Sequence, residues 1–163
     1  MGNPEKITTE HVEQRTIKEI IITPEHGQRS AEFRRSVAKL KKDGNYRCPI
    51  TDRTTNIQVH HIAEFSLANV IDFDKLKAFL LVIDPFGYSE QMADQPLTHI
   101  DDIRNLLPLA TEYHNNINNL LGNGTGIHNM TFPAWVAQFV CKDGQCPVPQ
   151  EGETIETVLE RVD

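Results

Sequence analysis

Apolar residues recur with a helical period at Phe33, Val37 and Leu40. Steps of three and four put them on one face, with Ser30 ahead as a cap and Gly44 behind as a stop. The pattern predicts a helix over Ala31 to Lys42, with Arg34, Arg35, Lys39, Lys41 and Lys42 largely on its other faces. Tyr46 to Ile50 and Ile57 to Ile62 flank the polar stretch Thr51 to Asn56 and read as a hairpin with a loop of about six residues. Phe73 to Val82 reads as helix, Asp84 to Thr98 as loop and Asn105 to Leu109 as a short extended piece. Thr111 to Leu121 is helical, with Thr111 as cap, and Gly122 to Gly126 is a break. Phe132 to Val140 follows as a helix with Pro133 near its first position. Its Trp135 and Phe139 share a face expected in the core. A last helix covers Thr154 to Arg161. Near the start, Thr8 to His11 opens a short helix. Thr16 to Thr23 is either its end or a strand, and Pro24 to Gly27 breaks it. No segment repeats and none is of low complexity. The reading is a single α+β domain.

Composition narrows the class. The chain has 163 residues, enough for one domain with a usable core, and its 39% hydrophobic and 24% charged content is that of a globular protein. The longest apolar run, Ala78 to Ile83, falls far short of the roughly 20 residues that span a bilayer. The opening MGNPEKITTE is polar, has no apolar core of a signal peptide and fits the myristoylation pattern poorly. A cytoplasmic protein without membrane contact is expected. Three cysteines (Cys48, Cys141 and Cys146) are an odd count, which points to a reducing compartment rather than a disulfide framework. Cys141 and Cys146 could close a small loop or donate two metal ligands.

The net charge of −7 is unevenly spread. Residues 29–47 carry a balance of +5, and residues 62–104 a balance of −5. One basic element on an acidic body is compatible with a local phosphate-facing surface. It is equally compatible with a solvated helix face.

The chemistry concentrates in Ile57-Gln-Val-His-His-Ile62. Adjacent strand residues face opposite ways, so His60 and His61 can serve different tasks. Asn105 opens the second extended piece. His114 follows it by nine residues and Asn118 by thirteen, and this i, i+4 pair shares a helix face. His60, His114 and Asn118 could together hold a divalent cation, with His61 as general base. His128 could approach the same place. His99, Asp101 and Asp102 could bind a cation, although a solvated acidic turn is the simpler reading.

At this point the chain resembles the HNH endonucleases, the ββα-metal nuclease superfamily. The matching stretches are CPITDRTTNIQVHHI (48–62) and RNLLPLATEYHNNIN (104–118), with GQRSAEFRRSVAKLKKDGNYRCPIT (27–51) similar to a bacterial lead-in helix. The resemblance implies a ββα-metal core at 46–121, an N-terminal helical region at 1–45, an insertion at about 63–104 and a C-terminal helical extension at 122–163. It implies phosphodiester hydrolysis in DNA, in a phage or bacterial setting. His61 matches the general base, and His60 and His114 match metal ligands. Asn105 matches the central asparagine, which either binds metal or pins the loop of the base. Asn118 falls where nuclease toxins carry a further histidine. One divalent ion (Mg²⁺, Mn²⁺, Ni²⁺ or Zn²⁺) is the expected cofactor. Arg34, Arg35, Lys39, Lys42, Arg53 and Arg104 are the expected phosphate contacts. Cutting both strands with one site per chain would favour a homodimer.

The chain departs from the family pattern in three ways. Only Cys48 remains of two CxxC pairs, so no zinc knuckle is expected. The step from His61 to Asn105 is long, and the acidic insertion could gate the site or bind a protein partner. The acidity suits a rival reading, an HNH-derived binding protein such as a phage anti-defence inhibitor or DNA mimic. A positive rim beside the histidines would favour the nuclease, and a continuous negative face over 62–104 the mimic.

Overall fold

The computed structural model describes residues 29–64, 67–114, 127, 139–147 and 150–162. Among the described residues the architecture is α+β, with helices beside a two-stranded antiparallel sheet. In chain order the elements are α1 (Ala31–Lys42), β1 (Ile57–His61), α2 (Phe73–Ile83), α3 (Tyr88–Gln91), β2 (Leu106–Ala110), α4 (Thr111–His114) and α5 (Ile155–Val162).

Helix α1 has the bounds its periodicity predicts. The Ser30 hydroxyl accepts from the Phe33 N–H at 2.9 Å, satisfying one orphan donor of the first turn. Glu32 in the first turn and Lys39, Lys41 and Lys42 in the last complement the helix dipole. Gly44 at φ +75° turns the chain out of the helix. The buried side packs Leu40 with Tyr88, Ile103 and Leu106, which joins α1 to the 63–104 segment and to the sheet.

The partner of β1 is β2, not residues 46–50. The register pairs Ile57 with Ala110 and His61 with Leu106. Residues 48–53 spend their backbone groups on a local turn: Cys48 N–H donates to Arg53 O at 2.9 Å and Asp52 N–H to Cys48 O at 2.8 Å. Pro49 has no N–H to offer a ladder. Leu106, Leu109 and Ala110 are buried, so pairing β1 with β2 covers apolar surface that 46–50 lacks. Pro108 is tolerated because each strand of a two-stranded sheet is an edge. Cys48 packs fully buried against Leu109 and Ala110.

The 63–104 segment is folded rather than a simple loop. Asp72 caps α2 through the N–H groups of Asp74 and Lys75. Asp84 accepts from Phe86 and Ser89 N–H at 2.8 and 2.6 Å, setting up α3 inside the stretch expected to be loop. A bridge between Ile71 and Cys141 ties the segment to the C-terminal part, and Leu76, Leu80, Val140 and Val162 share its core. Phe139 is not core: it is 53% exposed, touching Phe79 at a ring distance of 6.1 Å. The readings on Thr8 to Gly27, Trp135, Asn118 and His128 lie outside the described residues. Among those described, no helix is long and apolar enough to cross a membrane.

Candidate functional site

Strand β1 sends its two histidines to opposite faces, as the alternation of a pleated strand requires. On one face His60, 5% exposed, meets His114 of α4 with ring centres 5.6 Å apart and nearly perpendicular. On the other, His61 meets Phe33 of α1 at 5.9 Å. The juxtaposition of His60 and His114 follows from topology, because β2 runs back beside β1 and α4 follows β2 directly.

Two further groups sit beside this imidazole pair. Gln58 Oε1 lies 2.6 Å from His114 Nδ1. An amide oxygen accepts only, so this contact puts hydrogen on Nδ1 and the basic lone pair on Nε2. That outer contact selects a tautomer in the manner common around metal-binding imidazoles. Glu64 Oε1 lies 3.9 Å from His60 Nδ1. Strand alternation could have singled out Gln58 from sequence, since Gln58 and His60 share a face. Two imidazoles holding one cation tetrahedrally at about 2.0–2.1 Å keep their ring centres about 5–6 Å apart, so the His60–His114 spacing fits a pair of nitrogen ligands. Among the described residues, no three His, Cys, Asp or Glu side chains converge as a metal group.

Asn105 is fully buried, and its side-chain amide is engaged with backbone groups. Its Oδ1 accepts from Ala63 N–H at 2.7 Å, and its Nδ2 donates to Ala63 O at 2.9 Å and Ile100 O at 2.8 Å. Its own carbonyl accepts from Ile62 N–H at 2.9 Å. Asn105 therefore fastens the chain leaving His61.

His61 Nε2 lies 2.6 Å from Asp101 Oδ1. Burial pushes the Asp101 carboxyl up, but hydrogen bonds from His61 and Ser30, helped by the charges of His61 and His99, hold it below its ordinary 3.8. Asp102 is committed elsewhere, to Arg104. The acids of the His99–Asp102 cluster are thus engaged with Ser30, His61 and Arg104.

The expected phosphate contacts divide. Arg104 is corrected: it is 2% exposed and its guanidinium donates to both Asp102 oxygens and to the carbonyls of Met92, Gln95 and Pro96. It closes the 63–104 segment and has no face for a phosphate. Arg53 is half-exposed and ion-paired with buried Glu112. Arg34, Arg35, Lys39 and Lys42 remain exposed on α1, Arg35 beside Glu32 and Lys39 beside Asp43. Arg29 lies over the Phe33 ring at 5.2 Å. A cleft of about 470 Å³, lined by Arg29, Phe33, Tyr46, Gln58, Val59 and His114, opens between α1 and β1.

Comparison of the chain with protein families, with curated proteins and with solved structures returns no match.

Proposed function

We infer that the chain is a metal-dependent endonuclease of the HNH type that hydrolyses phosphodiester bonds in DNA. The observation that carries this reading is the juxtaposition of His60 and His114, brought from separate stretches of the chain to a ring distance of 5.6 Å. His61 follows His60 on the other strand face, and Asn105 binds the chain leaving it. The order β1, β2, α4 is compatible with the strand, strand, helix core that the resemblance implies.

In this reading His61 takes the proton of the attacking water. The water oxygen bonds to phosphorus, the bond to the 3′ oxygen breaks, and that oxygen recovers a proton from solvent. His60 and His114 are the residues that would hold one divalent cation, and a cation there supplies charge stabilisation for the phosphoryl and leaving oxygens. Asn105 keeps the strand end in place. Arg29 and the exposed bases of α1 offer the positive rim along which flanking phosphates lie.

Charge placement supports the nuclease over the mimic. Of the acids in 62–104, Asp72 and Asp84 cap helices, Asp101 meets His61 and Asp102 binds Arg104. These are internal duties, and they leave less carboxylate for a continuous acidic face.

The test is a plasmid-cleavage time course at low salt with Mg²⁺, Mn²⁺, Ni²⁺ or Zn²⁺ and an EDTA control. Metal-dependent nicking or linearisation is expected, with His61→Ala slower by about 10²–10⁴-fold. Folded protein that cuts no DNA with any of these metals would refute the reading.

A further inference from the structure

One acidic residue of the 63–104 segment reaches the proposed base, and its part in the reaction rests on the nuclease reading. Asp101 stands forty residues from His61 in sequence, yet its Oδ1 lies 2.6 Å from His61 Nε2. Its Oδ2 accepts from the Ser30 hydroxyl at 2.5 Å. The same Ser30 oxygen caps α1 by accepting from Phe33 N–H. The Asp101 main chain is held on both sides: its N–H donates to His99 Nδ1 at 3.0 Å, and its carbonyl accepts from the Ser36 hydroxyl at 2.8 Å. The carboxylate is only 13% exposed, and Phe33, one turn along α1 from Ser30, sets its ring against His61. Helix α1 and the end of the 63–104 segment thus grip the imidazole together.

An ionised carboxylate accepts hydrogen bonds and cannot donate one. The contact therefore puts hydrogen on His61 Nε2 and leaves the basic lone pair on Nδ1. We propose that Asp101 is a positioning residue for hydrolysis, holding His61 as the Nε2–H tautomer with its ring orientation set. The 63–104 segment then belongs to the catalytic machinery instead of standing beside it as an ornament.

Two readouts test this together. The first is ¹⁵N NMR of histidine-labelled protein, with the His61 signals identified by their loss in His61→Ala. The wild type is expected to show the Nε2–H tautomer, and Asp101→Ala to lose that preference. The second is cleavage kinetics of wild type, Asp101→Ala, the isosteric Asp101→Asn and the conservative Asp101→Glu, each checked for folding by urea denaturation. The expected result for Ala and Asn is a kcat lower by about 10–100-fold with KM little changed, and partial recovery in Glu. A wild-type Nδ1–H tautomer, or Asp101→Asn cutting at the wild-type rate, overturns the proposal. Wild-type protein that cuts nothing refutes the nuclease reading and the catalytic half of this one. Loss of the Nε2–H preference in Asp101→Ala would still establish the coupling.

Discussion

Asn105→Ala should be among the most damaging single substitutions in the described core. The side chain serves three buried backbone groups: Ala63 N–H, Ala63 O and Ile100 O. An unserved buried polar group costs about 1–3 kcal/mol, and the carbonyls, with two lone pairs each, sit at the low end. The sum is about 3–5 kcal/mol, against a total stability of about 5–15 kcal/mol for an ordinary domain. With an m-value of about 2 kcal/mol/M, the urea midpoint should fall by about 1.5–2.5 M. Asn105→Asp separates the causes. It preserves volume, so a pure cavity effect predicts little loss. The hydrogen-bond account predicts a loss comparable to Ala, because a carboxylate oxygen would face two carbonyls. Urea denaturation followed by circular dichroism reads both variants. A drop under about 1 kcal/mol for Ala, or a near-wild-type Asp variant, would refute the pin.

Arg104→Lys should also destabilise, by about 2–4 kcal/mol in the same assay, because one ammonium cannot replace a fork that reaches Asp102 and three carbonyls; DNA binding by Arg104→Lys, read by gel shift under conditions where it is folded, should match wild type. Asp101 has its carboxyl lowered in the folded state, so the stability it contributes is full above its ordinary 3.8 and is lost as pH falls through the folded value. Urea midpoints measured down the acid limb should therefore fall less steeply for Asp101→Asn than for wild type. Burial, with Cys146 adjacent, pushes the Cys141 thiol up to about 12, whereas Cys146 is partly exposed. Native alkylation followed by peptide mapping should modify Cys146 well before Cys141. Burial likewise raises Tyr88 to about 12, so its phenolate absorbance should appear last in an alkaline titration and vanish in Tyr88→Phe.

Local chemistry determined what could be read from the chain itself. The bounds of α1 follow from Ser30, the 33–37–40 stripe and Gly44, all within one short window. Helix α2 and the last helix lie within a residue or so of their periodic patterns for the same reason. The opposite facing of His60 and His61 follows from the two-residue repeat of any strand, and it would also have placed Gln58 with His60. Long-range pairing was decided by the tertiary structure. Residues 46–50 look as strand-like as 106–110, but turn closure at 48–53 and the buried Leu106, Leu109 and Ala110 make β2 the partner. A charge count cannot distinguish Arg104 in a cage of carbonyls from an arginine on a surface. Nor does any periodicity link Asp101 to His61 across forty residues. Only the packing of α1 against the end of the 63–104 segment brings the carboxylate to the ring, because side-chain contacts between distant stretches follow from the shape of the folded chain and not from any local repeat.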